Sequence, residues 1–321
     1  MMIKITNSFR QQGFSLIELM IALMLGVFLL ASLATVYLSS KETYALRDQI
    51  SEMDENARIA IKALRTHIES AGYTSEVGGV QLENYLLPTG FVAQAVTCPN
   101  GNTNVINPSK IASSADGTTL GSATLTTNQI MARADSIGLS FLADDQSFKD
   151  CTGSSWKNRC TVDPDASLSD WASQSAQAQT TRRVYSSFKI QKNASRNNSV
   201  GEGIPELICG GSLNSLAQPW AQGIENIQIR YGVDVLPNPV PIGQKKQWQV
   251  DQYWSATEVT ANNAWDQVAL VQLALLVRTI DPVFKQAETE TYQLFDQQIQ
   301  TADRYKRSVY TTTIYLRNIT R

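Results

Sequence analysis

The chain has 321 residues, room for one large domain or two ordinary ones; 43% are hydrophobic, which supports a substantial core, while only 17% are charged, against roughly 25% in typical soluble proteins. Lys plus Arg is 27 against Asp plus Glu at 29, a balance that disfavours a general nucleic-acid binder, whose phosphate contacts need a basic surface. The single histidine, His67, excludes multi-histidine metal sites and leaves little for histidine-based acid–base chemistry, so no catalytic residues, metal ligands or cofactor are assigned.

A short polar stretch, Met1–Gly13, carries Lys4 and Arg10, and an apolar run from Phe14 to Leu38 follows it. From Leu19 to Leu38 there is no charge; about 20 residues at about 1.5 Å each span the roughly 30 Å hydrocarbon core of a bilayer. The two preceding cations place the N-terminus in the cytoplasm and the remainder of the chain across the membrane. Glu18 is the anomaly, because an ionised carboxylate in an apolar span costs about 2.5–3.5 kcal/mol. A Sec signal peptide cut near Ser32-Leu33-Ala34 and a plain signal anchor are alternative readings of this run. Both leave Glu18 unexplained.

The pattern continues as an amphipathic helix, with Leu46, Ile50, Met53, Ala57, Ile61, Leu64, Ile68 and Ala71 recurring at spacings of three and four. No Gly or Pro interrupts Val27–Ala71, and Gly72 is a natural stop, so one helix of about 85 Å is expected from Ser15 to Ala71. Thr74–Asn128 is rich in Gly, Asn, Ser and Thr, with Leu82–Leu87 and Gly90–Val96 as short strands. After it, Ser136–Leu142, Val184–Gln191, Glu206–Cys209, Ile224–Tyr231, Val268–Thr279 and Val309–Ile319 read as extended. Val268–Val277 is apolar on both faces and reads as the central strand, covered by the helix on one side. The fold class expected is α+β: a long N-terminal helix, its exported half packed on an antiparallel β-sheet head with long loops.

Other chemistry is thinly supported. Asp163-Pro164-Asp165 opens a loop that resembles a calcium site, but Leu168 and Gln174 stand where an EF-hand needs Gly and Glu. His67, between Arg65 and Glu69, reads as a surface residue. The basic clusters Arg182-Arg183, Lys245-Lys246 and Arg304–Arg307 read as solvated turns or strand ends. Trp248, Tyr253, Trp254 and Trp265 near Lys245-Lys246 are the place where a nucleic acid would bind, with core anchoring the blander reading. The four cysteines, Cys98, Cys151, Cys160 and Cys209, form no Cys-x-x-Cys pair and read as disulfides made outside the cytoplasm; four buried thiols are the alternative.

Gly13-Phe14-Ser15-Leu16-Ile17-Glu18 resembles the class III signal of type IV pilins and of type II secretion pseudopilins. Asn56-Ala57-Arg58, Ala71-Gly72-Tyr73, Asp150-Cys151-Thr152-Gly153, Leu207-Ile208-Cys209, Ile224–Gly232, Leu275–Arg278 and Leu316-Arg317-Asn318 extend the resemblance, in order, to PilW-type minor pilins. It implies a leader of residues 1–13, a helix of 14–72 whose part 14–38 serves membrane and assembly, and a periplasmic or extracellular head of 73–321. It also implies that prepilin peptidase cuts Gly13–Phe14, that Phe14 is N-methylated, and that Glu18 pairs with a neighbour's N-terminal amine. The implied partners are other minor pilins and pseudopilin-like subunits, the major pilin and a non-pilin tip adhesin, in the inner membrane and then at the pilus tip. A J-like pseudopilin of a type II secretion system is the alternative assembly; a membrane-anchored binding module is a rival of another class. The family's cysteine pair corresponds to Cys151 with Cys209, leaving Cys98 and Cys160 as the other candidates, although many relatives have a cysteine soon after Ala-Gly-Tyr and this chain does not.

Overall fold

A computed structural model describes residues 15–73, 85–88, 96–97, 103–104, 124–142, 149–154, 183–211, 217–235 and 248–319. The chain divides into two compact units, one ending at Asp48 and one running from Gln49 onwards. Helix α1 (Leu16–Ser70) supplies all the described structure of the first.

In the first unit α1 is exposed all round, with Leu16 78% and Phe28 74% accessible. Its few hydroxyls are satisfied within the helix: Ser32 donates to the Leu29 carbonyl at 2.8 Å and Thr35 to that of Ser32 at 2.7 Å. A hydroxyl closed on its own backbone is cheap to place in hydrocarbon.

In the second unit α1 becomes amphipathic. Met53, Ala57, Ala60, Leu64, Ile68 and Ala71 form a buried stripe, with Ile50 and Ile61 at its margin. Small residues at 57, 60 and 63 bring the helix backbone close to the strands beneath. The helix ends at Ser70; Gly72 then takes φ 75°, and its N–H donates to the Ser140 carbonyl at 3.0 Å. A Cβ at Gly72 would crowd the Tyr85 ring at 3.3 Å, so both conformation and space call for glycine.

The head departs from expectation in having two four-stranded antiparallel sheets where one was expected. The first has the order β3 (Ile137–Leu142), β4 (Arg183–Asn197), β5 (Gly203–Gly211), β6 (Gln218–Gln222). In the second the order is β12 (Arg307–Tyr315), β9 (Val268–Arg278), β7 (Ile224–Val233), β8 (Gln252–Trp254). Two hairpins complete the described strands: the short pair β1 (Val96–Thr97) and β2 (Thr103–Asn104), and β10 (Glu288–Leu294) with β11 (Gln297–Asp303).

Strand β9 is interior, and its two faces serve different clusters. Val271, Leu273, Leu275 and Val277 join the core beneath α1. Ala274 and Leu276 meet Leu294 and Ile299 of the β10–β11 hairpin and Ile130 of α2 (Thr127–Met131). The continuous apolar run is therefore buried on both sides, as a central strand requires. Trp265 packs edge-on against Tyr231 at 5.0 Å, and Trp254 lies against the same core, so both act as anchors. Helix α3 (Ala256–Ala261) between them begins at Ser255, whose side chain and that of Glu258 cap each other's backbone N–H.

Candidate functional site

The sites expected from the sequence fall in three places. Glu18 lies in the first turn of α1, its N–H bonded to the Ser15 carbonyl at 3.1 Å, on a helix face with no protein around it. The N-terminal end of a helix favours a carboxylate through its unpaired N–H groups. Among the described residues α1 is the one helix long and apolar enough to cross a membrane. Gly13, Phe14, Cys98, Cys160, the Asp163 loop, Arg182 and Lys245-Lys246 lie outside the described residues.

The second place is the turn Asp150–Gly153. Cys151 is bonded to Cys209 of β5, with Cα atoms 6.0 Å apart, and both are buried. The Asp150 carboxylate shapes the turn by accepting from Thr152 N at 2.9 Å, Thr152 Oγ1 at 2.6 Å and Ser154 N at 3.1 Å. Its other oxygen sits where a Cβ on Gly211 would be, so β5 must end in glycine there. Trp220 Nε1 donates to the Cys151 carbonyl at 3.1 Å and ties β6 to the same turn. His67 of α1 stacks on this assembly, 5.2 Å from the Phe188 ring and 5.8 Å from that of Trp220. Contrary to its reading as a surface residue, burial pushes its imidazole down to about 4, against an opposing pull from the Asp150 carboxylate.

The third place corrects the sequence reading most. Arg307 is not a solvated strand end; it is 1% exposed and fully paired. Its guanidinium bonds both oxygens of Glu225 on β7 and both of Asp303, and Nη1 reaches Thr301 Oγ1 at 3.3 Å. Arg278, also 1% exposed, stacks 3.9 Å over the Tyr305 ring and lies 3.9 Å from Glu225 and 3.7 Å from Glu202. Tyr305 donates to Glu202 at 2.8 Å and accepts from Asn198 at 2.7 Å. Burial pushes its hydroxyl up to about 12, although Arg278 opposes that. Asp303 would also be raised by burial, but the Arg307 hydrogen bonds outweigh this and hold it below the usual carboxylate range. This is a cross-brace joining β7, β9, β11 and β12. Among the described residues no cluster of His, Cys, Asp and Glu is arranged to hold a metal ion.

An exposed apolar half-helix with an acid in its first turn, joined in sequence to an antiparallel head, is the arrangement of a type IV pilin-like protein. The prokaryotic N-terminal methylation motif matches residues 8–34, which include Gly13, Phe14 and Glu18. Residues 187–318, from β4 through β12 and including the cross-brace, match the family described as type IV pilus-assembly protein W. The two matches together support a PilW-type minor pilin. Among solved structures, a type IV-like pilin from Thermus thermophilus is similar at 12% identity and a TM-score of 0.29, over 62% of this chain and 82% of that one. No curated protein matches.

Proposed function

We propose that this minor pilin helps to prime type IV pilus assembly in the inner membrane and is then carried at or near the pilus tip. Prepilin peptidase removes residues 1–13, Phe14 becomes the methylated N-terminus, and the head of 73–321 stands on the periplasmic side. Glu18 then pairs with the N-terminal amine of a neighbouring subunit. Each charge alone is costly in lipid, and pairing offsets part of both costs while fixing the axial offset between helices. Other minor pilins, the major pilin and a non-pilin tip adhesin are the partners in this reading.

The observation that carries it is Glu18, an acid in the first turn of an otherwise apolar and wholly exposed half-helix, inside the methylation motif. The match at 187–318 supports a pilus over a secretion pseudopilus. The test is a chromosomal deletion complemented in trans. Surface pili should fall sharply in the deletion strain and return with the wild-type gene, and tagged protein should be seen at pilus ends. Normal piliation without the gene, or a loss of type II secretion instead, would refute the pilus reading.

A further inference from the structure

The first unit, taken by itself, changes character within two helical turns. Up to Leu38 its exposed side chains are mostly apolar, with Leu33 65%, Val36 64% and Leu38 57% accessible. Lys41, Glu42, Arg47 and Asp48 then bring the first charges after Glu18. At the change stand Tyr37 and Tyr44, 69% and 72% accessible, with the exposed Lys41 between them. All three lie on the unbroken α1 at spacings of four and three, which puts them on one helix face about 10 Å long.

The polar groups around this face are unequally engaged. Thr35 Oγ1 donates to the Ser32 carbonyl at 2.7 Å and Thr43 Oγ1 to that of Ser39 at 2.9 Å, so both hydroxyls are closed on their own helix. Among the described residues none accepts from the Tyr37 or Tyr44 hydroxyl, and none forms an ion pair with the Lys41 ammonium. Helical side chains lean towards the N-terminus, so the Tyr44 ring returns over the turn of Lys41, itself one turn beyond Tyr37. Three donors without an acceptor are thus gathered where the uncharged run Leu19–Leu38 ends.

We propose that Tyr37, Lys41 and Tyr44 form a binding site for the phosphodiester of a glycerophospholipid in the leaflet opposite the N-terminus. The inference rests on the membrane-anchored reading above. Position selects the occupant. Leu19–Leu38 spans about 30 Å, the thickness of the hydrocarbon core, so the next two turns fall among the headgroups. Tyrosine suits that level, with its ring at the acyl boundary and its hydroxyl in the polar layer, and a lysine stem can lie along the chains with its ammonium at the phosphates. Charge selects the phosphodiester itself. Lys41 and Arg47 balance Glu42 and Asp48, so this segment is neutral and has no reason to prefer an anionic lipid. What remains is directional: an ammonium and two phenolic O–H groups meet oxygens that only accept. A lipid held there fixes how deep the helix sits and must be released before the helix can leave the bilayer.

The test reconstitutes the full chain in vesicles of phosphatidylcholine or phosphatidylglycerol, extracts it in mild detergent, and counts retained lipid per chain by native mass spectrometry. Tyr37→Phe/Lys41→Gln/Tyr44→Phe removes the donors of the site and keeps both rings. It should cut retained phospholipid roughly tenfold, and Tyr37→Phe/Tyr44→Phe, which keeps Lys41, should recover part of it. The wild-type chain should retain the two lipids to within about threefold of each other. The thermal midpoint of the head should not move, since all three residues lie in the other unit. Wild-type lipid retention by the triple variant overturns the site alone, and so does displacement of the lipid by inorganic phosphate, which would make it a free-anion site. Unchanged lipid retention with a loss of co-purified minor pilin gives the face to a neighbouring subunit and also overturns it. A strong preference for phosphatidylglycerol overturns recognition of the shared phosphodiester. If the wild-type chain does not sediment with vesicles at all, the membrane-anchored reading fails and the site with it.

Discussion

The Arg307 guanidinium meets both oxygens of Glu225, Nε to Oε2 at 2.6 Å and Nη2 to Oε1 at 3.1 Å, where neither side chain is reached by solvent. Such a pair adds little over an apolar replacement, but removing one partner strands a charge, at a cost of about 3–5 kcal/mol. Glu225→Gln should therefore lower the unfolding free energy by about that amount, since Arg278 also loses its nearest buried acid. The double variant Glu225→Leu/Arg307→Leu should lose less than the single one. Urea unfolding of both checks this; a single variant within about 1 kcal/mol of wild type would exclude a structural role for the pair.

The Cys151–Cys209 bond closes a loop with a sequence separation of 58 and holds the Asp150 turn against β5. Replacing both cysteines by serine should cost about 2–4 kcal/mol, chiefly by loosening the unfolded chain. The thermal midpoint of the detergent-extracted protein should fall, and reductant should no longer change it through this bond. Peptide mapping without reductant should recover Cys151 and Cys209 on one linked fragment. Two free thiols there would contradict the structure.

His67 should make the head acid-sensitive. Its imidazole is held near 4 in the folded state against 6.5 when free, so between these values the unfolded chain binds the extra proton. The stabilisation is complete above about pH 6.5 and is lost as pH falls towards 4, up to about 3 kcal/mol in all. His67→Phe should keep the ring packing against Phe188 and Trp220 and flatten stability over that window. An equally steep decline in the variant would assign the acid sensitivity to groups other than His67; Asp303 is not among them, because its own contribution is lost only at lower pH.

What the sequence discloses depends on how local the signal is. The stripe from Met53 to Ala71 and the apolar run Val268–Val277 are legible because periodicity and hydrophobicity are properties of neighbours in the chain. The β10–β11 hairpin was missed because ETETYQL and QQIQTAD are mostly polar; of their apolar side chains only Leu294 and Ile299 are fully buried, and the turn uses Phe295 at φ 53° where a glycine would have marked it. The division into two sheets depends on pairing between distant segments, which no window records. Arg307 was misread because a cationic cluster usually means a solvated surface, and its partner Glu225 lies 82 residues away. A usable signal was present: Glu225 and Arg278 each adjoin an apolar strand run, where a charge needs an opposite partner. Glu18, by contrast, stood out within its own helix.

Processing should depend on Gly13. A peptidase that needs a small residue at the cut will not accept a β-branched one, so Gly13→Val should leave residues 1–13 attached. The protein should remain in the membrane at its unprocessed mass and fail to enter pili. Intact mass measurement of the membrane fraction decides it: a mature-sized product beginning at Phe14 would remove the class III interpretation of the motif.

Glu18 separates an assembly role from an awkward anchor residue, because the two predict opposite consequences of its removal. Glu18→Ala takes an acid out of the apolar run and favours membrane insertion by about 2.5–3.5 kcal/mol. If the carboxylate had no partner, the variant would insert and function at least as well as the wild type. If it meets the amine of a neighbouring subunit, the variant leaves that amine unpaired in hydrocarbon, and the gain in insertion becomes a loss in assembly. We therefore expect normal export and normal cleavage of Glu18→Ala, few or no surface pili, and weaker co-purification with other minor pilins. Membrane levels must be measured beside the pilus count, since a fall in both would report instability and not assembly. A charge-preserving Glu18→Asp should recover part of the piliation, limited by the shorter reach of its side chain. Wild-type pilus numbers from Glu18→Ala, at wild-type membrane levels, would leave this carboxylate without an assembly role.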